Sequence, residues 1–164
     1  MSDIFISYRR EDSADATGRI SDHLYPEFGR DKIFTDIDNI PLGLDFREHI
    51  DKEVSHCEVF LAVIGLDWLD VRDEKGKKRL EQTEDVVRLE IESALKRKIP
   101  VIPVLVSGAK MPKEQQLPAS LKELAFRNGT PVRSDQSFKA DIHRLITGIK
   151  EHINEQEVVT KKNL

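Results

Sequence analysis

Residues 58–65, EVFLAVIG, read as a strand sealed on both faces. Six consecutive apolar side chains between Glu58 and Gly65 leave no solvated side for a two-residue period to show. Burial on both faces belongs to the interior of a parallel sheet, so the flanking chain must supply further strands and the helices that cover them. Upstream, residues 3–8 form a short apolar run rich in β-formers, and 33–35 a second. Downstream, residues 99–106 (IPVIPVLV) read as another buried strand, and 129–132 as a last one. Pro100 and Pro103 cannot donate to a ladder, which predicts that 99–106 is an edge strand or begins irregularly.

Helical spacing fills the intervals. Ser13 is the expected cap of a helix carrying Ala16, Ile20, Leu24 and Phe28. Asp45, with Glu48 three positions on, resembles a capping box for a helix through Ile50 and Val54. Residues 84–98 are helical by their apolar spacing, 121–126 read as a short helix, and 137–153 form a final amphipathic helix. The turn-forming residues of 36–44 make a long, shaped loop, and 70–78 a solvated charged one. Alternating strands and helices at this spacing suit right-handed βαβ units. The fold class is therefore α/β, a doubly wound parallel sheet with helices on both faces. One domain covers 1–153, and 154–164 lose the apolar spacing, as a polar tail or truncated linker would.

Composition narrows the function. The chain has 164 residues, 38% hydrophobic and 34% charged, with a formal charge of −4, which leaves no broad electrostatic footprint for nucleic acid. Its apolar runs fall far short of the ~20 residues that span a bilayer, and residues 1–8 lack the basic start and long apolar stretch of a signal peptide. Lone Cys57 excludes an internal disulfide and fits a reducing compartment. The expectation is a cytoplasmic protein with neither nucleic acid nor membrane as partner.

Ligands in open α/β sheets bind outside the carboxyl ends of the strands, near the point where strand order reverses. The end of the first strand carries Tyr8, Arg9 and Arg10. A guanidinium fork matches phosphate oxygens, so the arginine pair can hold a phosphate; alternatively one arginine pairs with Glu11 or Asp12 on the surface. In the helix 84–98, Val86, Val87, Ile91, Ala94 and Leu95 form one apolar stripe at 100° per residue, and Glu90 falls inside it. A carboxylate on a buried face costs free energy unless it is paired or opens to a cleft. Glu90 is thus either an ion-paired structural residue or a side chain that meets a substrate. Trp68, after the central strand, packs in the core or stacks on a ligand.

Other chemistries lack their residues. The five histidines do not cluster with the paired spacing zinc requires, so no metal is expected. Neither G-x-x-x-x-G-K-[ST] nor G-x-G-x-x-G occurs. Cys57 reads as a small buried hydrophobe. A phosphoacceptor receiver domain would need an aspartate ending the third strand and a lysine ending the fifth. Ile64-Gly65 and residues 129–132 do not supply them.

The segment from Ile4 to Arg10 (IFISYRR) resembles the opening box of Toll/interleukin receptor (TIR) domains. Residues 34–43 (FTDIDNIPLG) look like their second box, and 86–95 (VVRLEIESAL) followed by 99–104 (IPVIPV) are similar to the segment carrying the glutamate of the NAD-cleaving members. The boxes occur in order from about residue 3 to 153, in a bacterial style. The resemblance implies a flavodoxin-like five-stranded sheet and cleavage of NAD between nicotinamide and ribose, giving ADP-ribose or a cyclic isomer, in signalling or antiviral defence. NAD is then a substrate and no cofactor is implied; other TIR domains are partners by self-association through the loop at 36–44. By the same resemblance Glu90 is catalytic, and Tyr8, Arg9, Arg10, Pro41, Leu44 and Trp68 are the expected substrate-binding residues. Two positions depart: Val86 stands where catalytic relatives often carry tryptophan, and Pro41 where some carry an acid. Other members of the family are adaptors, so a non-enzymatic TIR–TIR scaffold is the alternative.

Overall fold

Each residue of the central strand points to one of two hydrophobic cores. The computed structural model describes residues 3–35 and 40–162. Among them five strands form a parallel sheet: β1 (Ile4–Ser7), β2 (Ile33–Phe34), β3 (Val59–Ile64), β4 (Val101–Leu105) and β5 (Thr130–Pro131). They lie in the order β2-β1-β3-β4-β5. Four helices cover them, α1 (Arg10–Phe28), α2 (Phe46–Ser55), α3 (Val86–Lys96) and α4 (Phe138–Lys162).

Side chains alternate across a strand. Val59, Leu61 and Val63 of β3 therefore join Ile20 and Leu24 of α1 and Ile142, Leu145 and Ile149 of α4. Phe60, Ala62 and Ile64 join Ile50 and Val54 of α2, Ile91 and Ala94 of α3, and Phe5 of β1. Phe5 stacks between Phe34 and Phe60, with ring centroids 5.2 Å apart in both pairs. Burial of each such side chain contributes about 1.5–3 kcal/mol, which makes β3 the anchor of both layers. The doubly wound α/β sheet read from the sequence is the fold observed.

The strand order reverses between β1 and β3. From β1 the chain turns to β2 on one side and then crosses to β3 on the other. The crevice at their carboxyl ends is where this architecture accepts ligands.

Several details differ from the sequence reading. β4 is not an edge strand: it pairs with β3 from Phe60↔Val101 to Ile64↔Leu105, and with β5 at Val104↔Thr130 and Leu105↔Pro131. Pro100 precedes the strand, and Pro103 is tolerated by parity. Phe60 N donates to the Pro100 carbonyl and Val106 N to Ile64 O, so even-numbered residues face β3. Pro103 therefore turns its missing N–H toward the β5 side, one residue before that ladder begins.

The helix expected over 84–98 is Val86–Lys96, because Asp85 accepts a hydrogen bond from Arg88 N and so occupies the N-cap. Helical backbone precedes Ser13, which interrupts α1 at φ −146°, ψ 28°; its hydroxyl reaches back to Arg9 O, 3.5 Å away. α4 runs on to Lys162, past the expected end at 153. The loop expected over 36–44 lies outside the described residues at Asp36, Ile37, Asp38 and Asn39, as do Asn163 and Leu164 of the tail.

Candidate functional site

The end of β1 and the first turns of α3 form one wall of a cleft of about 680 Å³, within the range of small-molecule sites. Its lining includes Tyr8, Arg9, Arg10 and Glu11 after β1, Thr35 and Ile40 around the second loop, and Val86, Val87 and Glu90 of α3. Asp73, Arg79 and Gln82, from the charged stretch before α3, close another side.

Glu90 sits one turn inside α3 and is 5% exposed. Ile91 and Ala94 bury the same helix against the sheet, which carries Glu90 down to the end of β1. There the Ser7 hydroxyl donates to Glu90 Oε1 over 2.9 Å. Burial pushes the Glu90 carboxyl up to about 8; the Ser7 hydrogen bond pulls it down, nearby Asp85 pushes it up again, and Arg9 pulls it down. A positive charge coming to rest beside a carboxyl in this setting favours loss of its proton.

Arg9 is committed elsewhere. Its guanidinium makes a two-pronged ion pair with Asp85, 2.6 Å at Oδ2 and 3.0 Å at Oδ1, with both side chains buried. Asp85 thereby ties the β1 exit to the N-terminus of α3 while capping that helix. The Arg9 Nε is buried with no partner among the described residues. Among the described residues the charged pair leaves Glu90 outside any ion pair, with the Ser7 hydroxyl as its hydrogen-bond partner.

The exit from β3 is braced from α1. Asp12 accepts from Gly65 N and Asp67 N, each over 2.8 Å. A Cβ on Gly65 would lie 2.5 Å from both Asp12 carboxylate oxygens, so only glycine permits this approach. The charged stretch is a shaped turn and not merely solvated: Asp73 accepts from Lys75 N, Lys77 N and the Gln82 amide, and Arg72 bridges Lys78 in antiparallel fashion.

Of the residues nominated from sequence, the structure gathers Tyr8, Arg9, Arg10 and Glu90 at the cleft. Pro41 and Leu44 are exposed and do not line it. Trp68 is 1% exposed within the core on the α2/α3 side. The turn after β3, where Trp68 N bonds Gly65 O, folds the indole inward and leaves Leu66 exposed instead. Ser7, Asp85 and Arg79 were missed, and Glu11, offered as a partner for Arg9 or Arg10, pairs with Arg79. For Asp85 a signal existed, an aspartate directly before an apolar helical run. Burial pushes the Cys57 thiol up to about 12, in keeping with a buried hydrophobe. Among the described residues no group of three or more His, Cys, Asp or Glu is placed to hold a metal ion. No helix of the described residues is long and apolar enough to cross a membrane.

Comparison with known proteins adds the family. A profile described as TIR domain matches residues 4–146. The TIR domains of the activated Roq1 resistosome directly recognising the pathogen effector XopQ are a structural match with a TM-score of 0.59 and 16% identity, covering 93% of this chain and 99% of theirs. No curated protein matches in sequence.

Proposed function

Because this chain belongs to the TIR domain family, we propose that it cleaves NAD at the bond between nicotinamide and ribose, with Glu90 as the catalytic residue. The observation that carries the reading is the buried Glu90 carboxyl on the wall of the cleft, engaged by a hydroxyl and, among the described residues, in no ion pair. An internal ion pair there would have explained the residue structurally. The guanidinium near enough to provide one is turned onto Asp85.

The chemistry needs little from the protein. As the C1′–N bond breaks, its electron pair neutralises the pyridinium, so nicotinamide leaves without being protonated. The ribose gains oxocarbenium character, and a carboxylate in a water-poor site stabilises that charge. The cationic nicotinamide ring, bound beside Glu90, favours loss of the carboxyl proton before the bond breaks. Water then adds at C1′ and releases a proton, giving ADP-ribose; attack by an adenine nitrogen gives a cyclic isomer. A second carboxyl acid is not needed, in contrast to most glycoside hydrolases, because no leaving oxygen has to be protonated.

Self-association is part of the proposal. Leu42 is fully exposed and Leu44 is 57% exposed on the loop leading to α2. Such side chains support contact with a second TIR domain, and the structural match comes from an assembly of TIR domains. These same residues favour the second reading, a scaffold that assembles without turnover. Mixing the protein with NAD and quantifying nicotinamide and both ADP-ribose forms separates the two. Nicotinamide release supports the enzyme, and intact NAD across a range of protein concentrations leaves the scaffold.

A further inference from the structure

Arg79 and Glu11 join the two segments that flank the cleft. Arg79 stands on the 3-10 turn Arg79–Glu81 before α3, and Glu11 in the first turn of α1. The guanidinium donates to Glu11 Oε1 over 2.8 Å, and both residues line the cleft. The contrast with Arg9 is in solvent. The Arg9 and Asp85 side chains are 2% and 7% exposed, whereas those of Arg79 and Glu11 are 39% and 49% exposed.

Withdrawing Arg9 toward a ligand would strand a buried carboxylate, which proteins rarely tolerate. Withdrawing Arg79 strands nothing. Exposed pairs contribute little to stability. Glu11, in the first turn of a helix, keeps its charge in water, where its own backbone N–H lowers its pKa independently of Arg79. A phosphate offers the same guanidinium two oxygens in matching geometry.

We propose that Arg79 is the residue with which this cleft grips the diphosphate of a dinucleotide, and that Glu11 holds the guanidinium until phosphate oxygens displace it. The inference rests on the NAD-cleaving reading and moves the anion contact to Arg79 from the Arg9–Arg10 pair, to which one of the two sequence readings gave it. Glu11 acts as a competitor for the ligand, so the two residues have opposite effects on affinity.

The test is calorimetric titration of ADP-ribose into the wild type, Arg79→Gln and Glu11→Gln, alongside nicotinamide release from NAD and from nicotinamide riboside, which lacks the diphosphate. Both substitutions are at half-exposed positions. Arg79→Gln is expected to raise the Kd for ADP-ribose about tenfold, Glu11→Gln to lower it several-fold, and Arg79→Lys to recover part of the loss. Equal binding by wild type and Arg79→Gln, or equal weakening by both Gln variants, overturns the proposal while leaving NAD cleavage untouched. A wild type that binds ADP-ribose through Arg79 yet releases no nicotinamide keeps the latch and overturns the cleavage reading alone. A wild type that neither binds nor releases overturns both.

Discussion

The Ser7 hydroxyl donates to Glu90 Oε1 across 2.9 Å, joining the last residue of β1 to the carboxyl that α3 buries. The bond favours the ionised form of Glu90 against burial, which holds the carboxyl at about 8. Removing it with Ser7→Ala therefore raises that value, and the acid limb of a kcat/KM profile moves to higher pH. A hydrogen bond to a charged group contributes about 1.5–3 kcal/mol, enough to displace the limb visibly. Ser7→Thr, which keeps a hydroxyl, should restore much of the profile. A limb that stays in place in Ser7→Ala would show that another group titrates there.

The same carboxyl makes stability depend on pH in an uncommon direction. Glu90 has a folded value of about 8 against 4.5 for the free side chain, so the folded state holds the extra proton between them. Its contribution is neutral below the lower value, and stability declines as pH rises through that window, by an amount on the order of a few kcal/mol. Glu90→Gln removes the decline. Urea midpoints at pH 5 and pH 8 measure it: the gap between them should shrink in the variant, and an unchanged gap would assign the effect elsewhere.

Asp85 carries two structural duties, the α3 cap and the ion pair with Arg9. Asp85→Ala leaves a buried guanidinium uncompensated, a loss of about 3–5 kcal/mol. In a domain of this size that lowers Tm by about 2–4 °C per kcal/mol. Thermal unfolding of Asp85→Ala beside Glu11→Ala makes the comparison: the exposed residue should cost at most about 1 kcal/mol.

Gly65 and Asp12 form a coupled pair. An alanine at 65 must displace the Asp12 carboxylate, because its Cβ would lie 2.5 Å from those oxygens, and both backbone hydrogen bonds at Gly65 and Asp67 are then lost. Gly65→Ala is expected to cost about 1–3 kcal/mol. In an Asp12→Ala background the same change should cost much less, and a double-mutant cycle reads the difference. Strict additivity would refute the coupling.

Much of this was legible beforehand, for physical reasons. EVFLAVIG has only one reading that hides both faces, and from it the sheet, the flanking helices and the switch point follow. Glu90 could be singled out because helical periodicity exposes a charge in the wrong place. Periodicity places a residue on one helix but is silent about its neighbours across the sheet. So Ser7, distant by 83 residues, could not be paired with it, and Arg9 could not be assigned to Asp85, 76 residues away. Trp68 shows the same limit: a strand end nominates the cleft, yet one tight turn returned the ring to the core. The edge alternative for β4 failed because the sequence does not reveal which parity faces which neighbour, although the strand does begin only after Pro100.

Activity that depends on a neighbouring TIR subunit should climb faster than linearly with protein concentration. Charging the loop with Leu42→Asp and Leu44→Asp should remove that excess while the isolated fold persists. Specific activity that is flat with concentration in the wild type would place the complete site within one chain.

The most direct measurement is the initial rate of nicotinamide release from NAD by the wild type and by Glu90→Gln, with folding of the variant verified by its unfolding midpoint. The account predicts steady release by the wild type and loss of at least about a hundredfold in the variant, the scale on which removing one transition-state charge contact acts. A well-folded Glu90→Gln protein that turns NAD over at the wild-type rate would contradict it.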